Sequence, residues 1–439
     1  MTRKQLLIIV AGAVAIILVI FLCPVFFPNL CARKGGGCKP VSLQIWGVYD
    51  ESGVFSDLIK AYEKQNKCAK IYYEMKNATD YEEALRDAFV LGKGPDIFLI
   101  HNTWLPKYKD IIKEIPEVLL PFNVFRDTFV DVVENDLSED NKIYGLPLYV
   151  DTLALYYNTD YFNSAGISSP PETWDELIND LDKLTKKNQW GAIERAGIAL
   201  GTAENINRST DILALLMLQN GTEMVSENKK SVGFNQAILV ENGSYYPGQD
   251  ALRFYTDFAN PSQRVYAWNK QMPYSIDAFV DGKTAMMINY SHHIATIKSR
   301  APYLNFRIGP MPQIKDREFD INYANYWAFT VSNKTTPIVS EEAWKFIIYL
   351  TNQENAKKYL EKTKRPTSRR DLVDWQKNDL ELSVFAKQSL TARNWYQIDN
   401  SKIETILAEA IDSVVLGKTN VSKSLDTAVA QINLLMKKE

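Results

Sequence analysis

The chain has 439 residues, enough for about two or three domains of ~150 residues each. Its hydrophobic fraction of 46% and charged fraction of 23% are typical of a globular protein and argue against disorder. A net charge of −3 excludes a strongly basic nucleic-acid-binding protein, and four cysteines are too few for a disulfide scaffold.

An uncharged, almost wholly apolar stretch covers residues 6–27. At about 1.5 Å per residue, a helix of this length crosses a bilayer core. Three interpretations are open: a cleaved export signal, a lipoprotein signal ending at Cys23, and an uncleaved anchor. The anchor is favoured because Leu22 stands where a lipoprotein signal needs a small residue. We therefore predict an N-terminal transmembrane helix within residues 1–28 and a glycine-rich tether over residues 29–40.

Alternating strands and helices follow the tether. Short apolar segments predict strands over 41–47, 70–75 and 96–100, and apolar residues at helical spacing predict helices over 52–66 and 79–91. Two successive β-α-β units predict a parallel sheet, in which the loops at the carboxyl ends of the strands line a ligand crevice.

Further helices are predicted along the rest of the chain. Thr173 and Glu176 form a capping box that predicts the start of one of them. The remaining predicted helical segments are 211–219, 248–260, 340–350, 355–360 and 401–437, the last with a break around 417–420.

The sequence contains no G-x-S-x-G, H-E-x-x-H, Walker A or C-x-x-C signature. Asp151 lies between strand-like segments and is interpreted as either a turn residue or a ligand acceptor. His101, His292 and His293 are all placed in loops, where they are ordinary loop residues or hydrogen-bonding ligand contacts. Nothing in their spacing indicates a zinc site, so we predict no metal and no cofactor.

Several aromatic residues follow predicted strand ends. Core packing is a sufficient explanation for any one of them, but their shared placement suggests a stacking surface for a ligand. They are Trp46, Tyr49, Trp104, Tyr290, Tyr326, Trp327 and Trp395.

Cys38 and Cys68 stand immediately before the first and second predicted strands. Adjacent parallel strands begin at the same sheet edge about 4.8 Å apart, close to the Cα separation that a disulfide requires. We predict a Cys38–Cys68 disulfide, with two unpaired thiols as the alternative. A disulfide is typical of an extracytoplasmic protein.

Five stretches, taken in order, resemble the extracellular solute-binding proteins of ABC importers, family 1, the group typified by the maltose-binding protein. They are residues 94–100 (GPDIFLI), 142–162 (KIYGLPLYVDTLALYYNTDYF), 171–177 (PETWDEL), 279–293 (FVDGKTAMMINYSHH) and 326–367. The chain departs from the family pattern at Tyr290–His293, where the family often has a tryptophan, and at Asn325–Trp327, where it often has Gly-Gly-Trp.

The resemblance implies a two-lobed α/β fold of the periplasmic-binding-protein type (type II) with an interlobe cleft. Lobe one would comprise residues 41–149 and 312–368, and lobe two residues 152–309 and 371–439. The implied protein is not an enzyme. It would be anchored in the cell membrane with its binding domain extracytoplasmic, capture a mono- or oligosaccharide by lobe closure and deliver it to ABC permease subunits. Two alternatives are a receptor subunit for a sensor kinase and an anchored glycoside hydrolase, which needs two carboxylates about 5–9.5 Å apart.

Ten side chains are predicted to bind the ligand, because sugars need flat rings for their C–H faces and polar groups for their hydroxyls. The predicted stacking residues are Tyr290, Tyr326, Trp327 and Trp395. The predicted hydrogen-bonding residues are Asp50, His101, Asn102, Asp151, Ser291 and His292. We expect most of the ten to line one interlobe cleft.

Overall fold

The computed structural model describes residues 39–240 and 243–437. Its strands are β1 (Val41–Val48), β2 (Ala69–Lys76), β3 (Ile97–His101), β4 (Ile112–Lys113), β5 (Ser138–Glu139), β6 (Lys142–Ile143), β7 (Leu146–Pro147), β8 (Asp151–Thr152), β9 (Ala154–Asn158), β10 (Lys186–Lys187), β11 (Ile193–Ile198), β12 (Ile238–Val240), β13 (Gly243–Tyr245), β14 (Thr284–Asn289), β15 (Phe306–Gly309), β16 (Asn322–Asn325), β17 (Trp327–Ser332) and β18 (Ala392–Arg393).

The α-helices of the described residues lie between these strands and after them. They are α1 (Ser52–Gln65), α2 (Tyr81–Val90), α3 (Leu105–Tyr108), α4 (Phe122–Thr128), α5 (Asp131–Leu137), α6 (Thr159–Ser164), α7 (Trp174–Leu184), α8 (Ser209–Gln219), α9 (Pro247–Asp257), α10 (Ser275–Val280), α11 (His293–Arg300), α12 (Pro337–Thr351), α13 (Gln353–Thr363), α14 (Arg370–Gln376), α15 (Ser383–Gln388), α16 (Asn400–Val415) and α17 (Val421–Met436).

The first sheet has the strand order β2-β1-β3-β17-β4, with β7 also paired to β17. Strands β2, β1 and β3 are parallel, as the two predicted β-α-β units require. Strand β17 returns from much later in the chain and pairs antiparallel with β3, placing Trp327 opposite His101. The carboxyl ends of β1 and β3 therefore meet the start of β17 at one edge of the sheet.

The second sheet has the order β10-β11-β14-β9-β15. All six residues of strand β14 are buried, and the strand lies between two neighbours inside the sheet. Helix α7 starts where the capping box predicts: the Thr173 hydroxyl accepts a hydrogen bond from the Glu176 amide. The Glu176 carboxylate in turn accepts one from the amide of Glu172.

Each sheet lies in its own buried hydrophobic cluster, and the two clusters are the cores of two α/β lobes. From Leu382 onward the buried hydrophobic residues of these two clusters belong to the second cluster, with the single exception of Ala392, which packs in the first. The other changes of cluster fall between Val150 and Leu153, between Tyr323 and Ala324, and between Leu372 and Leu382.

The first of these changes coincides with the predicted boundary at 149/152. The second lies inside β16, so residues 312–323 pack with lobe two instead of lobe one. The third lies after α14, whose Leu372 is buried in the first cluster although the predicted boundary assigns it to lobe two. The sequence alone did not indicate which lobe these connecting segments pack against.

Two predictions concern residues outside the described ranges. The predicted membrane segment 6–27 lies there, and none of the helices within 39–240 and 243–437 is long and apolar enough to span a bilayer. Cys38 also lies there. Its predicted partner Cys68 is disulfide-bonded, and the identity of the partner stays a prediction.

Candidate functional site

A cavity of about 400 Å³ lies between the two lobes. On the side of lobe one it is lined by residues that follow β1 and β3 and by the start of β17. On the side of lobe two it is lined by the start of α8 and by residues 394–407. The carboxyl ends of the parallel strands therefore open onto this cavity, as is usual for ligand sites in such sheets.

Trp327 is the centre of an aromatic wall on lobe one. Its ring meets Trp104 at a centroid distance of 5.0 Å and His101 at 5.5 Å, both edge-on. Tyr49 approaches from the end of β1 at 5.9 Å and is 57% exposed. These contacts fix the orientation of the Trp327 ring, and its partly buried side chain lines the cavity as a preoriented aromatic surface.

His101 lines the cavity as an uncharged group. Burial, together with the positive charge of Arg208, lowers the pKa of its imidazole to about 4. Its Nδ1 is 2.7 Å from the Thr103 hydroxyl. His101 is the last residue of β3 and His293 is the first of α11, so the expected loop position holds only for His292.

Asp151 lies on the cavity wall, and its carboxylate oxygens accept hydrogen bonds from other groups of the protein. It accepts hydrogen bonds from the Ser291 hydroxyl at 2.7 Å, the Ser291 amide at 3.0 Å and the Thr152 amide at 2.9 Å. The His292 imidazole is 3.6 Å away. Asp151 therefore fastens the crossover strand β8 to the loop after β14, and Ser291 is buried as its partner.

Asp50 does not line the large cavity. Its carboxylate is buried and binds the guanidinium of Arg365, at 2.8 and 3.2 Å, and the Tyr359 hydroxyl at 2.7 Å. Burial raises the pKa of Asp50, opposed by the charge of Arg365. Asp50 thus anchors Arg365, which packs over the Tyr149 ring at 4.4 Å and does reach the cavity.

Asn102 follows the end of β3 and Tyr326 precedes the start of β17, and both lie behind the aromatic wall. Both donate hydrogen bonds of 2.9 Å to the buried carboxyl group of Asp136. Burial raises the pKa of Asp136 to about 7, opposed by hydrogen bonds from Asn102, Tyr326 and Asn394. Neither predicted residue lines the cavity.

The two remaining aromatic predictions are also largely enclosed. Tyr290 is fully buried and donates its hydroxyl hydrogen to Asp211 at 2.8 Å. Trp395 is 7% exposed, packs edge-on against Phe234 at 5.3 Å and presents only part of its ring to the cavity.

Five of the ten predicted residues therefore line the cavity, and the expectation that most of them do so is not met. The five are His101, Asp151, His292, Trp327 and Trp395. The other five, Asp50, Asn102, Tyr290, Ser291 and Tyr326, lie behind its wall.

Sequence reasoning missed several cavity residues. They are Tyr149, Arg208, Asp211, Asn325, Arg365, Asn394, Gln397, Asn400 and Glu404. One usable signal was present: a charged residue, Arg208, stands directly before helix α8, whose residues 212–218 are all apolar, and a charged group beside a buried helix is a candidate for a cavity wall. In the part of the chain described, no three His, Cys, Asp or Glu side chains are grouped to hold a metal ion.

The sequence profile described as "bacterial extracellular solute-binding protein" matches residues 57–382. The maltodextrin-binding protein MdxE of Bacillus subtilis is 26% identical over 320 residues, 69% of each chain. The sn-glycerol-3-phosphate-binding periplasmic protein UgpB of Salmonella typhimurium is 27% identical over 376 residues, 80% of this chain and 82% of UgpB.

Solved structures show the same two-lobed fold. The cyclic alpha-maltosyl-1,6-maltose binding protein of Arthrobacter globiformis superposes with a TM-score of 0.76 at 18% identity. The match covers 91% of this chain and 100% of that protein.

Proposed function

Because this chain belongs to the bacterial extracellular solute-binding proteins, we propose that it captures a mono- or oligosaccharide in the interlobe cavity and delivers it to an ABC importer. The observation that carries the proposal is the cavity itself, where the Trp327 wall of lobe one faces polar side chains of lobe two. A sugar presents apolar C–H faces and a rim of hydroxyls, which matches this combination.

Capture needs no covalent chemistry. A ligand that contacts Trp327 on one lobe and the α8 and α16 region on the other binds the closed form more tightly than an open one. It therefore shifts the population toward closure. The permease would recognise the closed form. We accordingly expect no turnover of chromogenic glycosides by the purified protein.

Thermal unfolding of the full-length protein with a panel of sugars tests the proposal. A ligand at about 100 times its Kd stabilises the folded state by ~2.7 kcal/mol. We expect maltotriose or another neutral sugar to raise the Tm, and a radiolabelled sugar to remain bound after gel filtration. Absence of any stabilising sugar in a broad panel would count against a carbohydrate ligand.

We also propose that residues 6–27 remain as a membrane anchor, with residues 29–40 as tether and the lobes outside the cytoplasm. The uncharged, almost wholly apolar character of residues 6–27 supports the anchor. The protein should then stay with the membrane fraction after a high-salt wash. A soluble form that begins near residue 32 would show cleavage instead.

A further inference from the structure

Arg208 is held in the cavity wall with no polar partner for its side chain. Its backbone is left-handed, with φ at 63°, a conformation that a non-glycine residue adopts only when its surroundings impose it. The guanidinium makes no hydrogen bond or ion pair with any described residue, and its Nε is fully buried. Because Arg208 lines the cavity, a ligand that reaches the other guanidinium nitrogens would give this side chain the polar partner it lacks.

Glu404 lines the cavity near Arg208 from the first turns of α16. Its carboxylate also makes no hydrogen bond or ion pair with the residues described. The charges of Glu404 and Asp211 both act on Arg208, so the three groups are close enough to interact electrostatically. Lobe two thus offers the cavity a free set of donors next to a free acceptor.

The charges around the cavity disfavour an anionic ligand. Three carboxylates line it, those of Asp151, Asp211 and Glu404, against the two guanidiniums of Arg208 and Arg365. Arg365 is already paired with Asp50. Arg208 is thus the one cavity guanidinium without an ion-pair partner among the described residues, and the carboxylates of Asp211 and Glu404 lie near it. A phosphate ester would bring two negative charges next to these carboxylates.

We propose that Arg208 and Glu404 form a specificity subsite for two adjacent hydroxyl groups of an uncharged ligand. The guanidinium donates to one hydroxyl oxygen and the Glu404 carboxylate accepts from the neighbouring hydroxyl. The negative charge of Asp211, which accepts a hydrogen bond from Tyr290, favours the charged form of the guanidinium. The inference rests on the proposed solute capture and narrows the class of ligand to uncharged molecules. The names of the relatives leave that class open, because UgpB is named for a phosphate ester and MdxE for maltodextrin.

Two variants test the subsite in the full-length protein. Arg208→Asn removes the guanidinium, and asparagine tolerates the left-handed backbone. Glu404→Gln removes the negative charge with little change in shape. We expect each to weaken binding of maltotriose, or of the neutral sugar that stabilises the wild type most, by about tenfold or more in calorimetric titration. Lys229→Asn is the matched control: Lys229 also has a positive φ, of 56°, and does not line the cavity.

Glucose 6-phosphate, glucuronate and sn-glycerol 3-phosphate form the anionic arm of the experiment. With a hydroxyl subsite, none of them binds the wild type more tightly than its neutral counterpart. An anion subsite makes the opposite prediction, that at least one of these anions binds the wild type more tightly than its neutral counterpart does. That result overturns the proposal.

The two levels of inference fail in different ways. If no neutral sugar binds the wild type, sugar capture and the subsite both fail. If a neutral sugar binds and both variants bind it as tightly as the wild type does, sugar capture stands and only the subsite is refuted. Unchanged Tm values of the unliganded variants would confirm that a loss of affinity is not a loss of folding.

Discussion

Asp136 should make the stability of lobe one depend on pH. Its carboxyl group is buried behind the aromatic wall, where Asn102 and Tyr326 donate to it, and burial raises its pKa from 3.8 to about 7. In the unfolded chain the group titrates at its ordinary pKa. Between about pH 4 and 7 the folded protein therefore holds a proton that the unfolded chain releases.

The sign follows from this difference in bound protons. The free energy of unfolding is higher at pH 5 and falls as the pH rises through 7, because the buried carboxylate must then carry its charge. A shift from 3.8 to about 7 corresponds to a loss of about 2.5 kcal/mol between pH 5 and pH 8.

Urea denaturation at pH 5, 6, 7 and 8, followed by tryptophan fluorescence, measures this loss. Asp136→Asn keeps an oxygen acceptor for the Tyr326 hydroxyl and cannot titrate. Its stability should therefore fall by about 2.5 kcal/mol less than that of the wild type over the same range. Asp127→Asn is the control, since that side chain is 73% exposed. Parallel curves for wild type and Asp136→Asn would refute the reasoning.

Three further predictions concern the aromatic wall, the Asp50–Arg365 ion pair and the disulfide of Cys68. Trp327→Ala should weaken sugar binding by ~1–2 kcal/mol in calorimetric titration, because it removes the central ring of the aromatic wall; unchanged affinity would contradict a stacking role for that wall. Asp50→Asn should lower the free energy of unfolding by about 3–5 kcal/mol in urea, because it leaves the Arg365 charge buried without its partner. In the double variant, Arg365→Met added to Asp50→Asn should recover part of that loss, because no charge is then left buried. A loss of unfolding free energy below ~1 kcal/mol for Asp50→Asn would show that the ion pair contributes little to stability. Non-reducing peptide mapping should join Cys68 to Cys38, and a peptide joining Cys68 to another cysteine would show the pairing to be wrong.

Local pattern was sufficient for the elements around the cavity. The short apolar segment 41–47 predicted β1, and the structure buries Val41, Leu43 and Ile45 there. The helical spacing of Phe55, Leu58 and Tyr62 indicated α1, and all three are buried. Because consecutive β-α-β units imply a parallel sheet, the sequence also indicated that the residues after β1 and β3 would lie at one edge.

The sequence did not decide which side of each strand faces the ligand. At the end of β3 and the start of β17, His101 and Trp327 stand opposite each other and line the cavity, whereas Asn102 and Tyr326, their neighbours in sequence just outside these strands, lie behind it. A strand pattern shows alternation, but only the packing of the two lobes determines which of its two faces meets the cavity.

The sequence also did not show which side chains distant in the chain would pair with each other. Asp50 looked like a free acceptor at a strand end, but it binds Arg365, 315 positions later in the chain. Arg208 reaches the cavity from a loop with no motif of its own and lies near Glu404 only because α8 and α16 pack together. Periodicity within a dozen residues therefore determined the strands, the helices and the sheet edge that binds ligand. The identity of the binding side chains was decided by tertiary structure, since burial and partner choice depend on residues hundreds of positions apart.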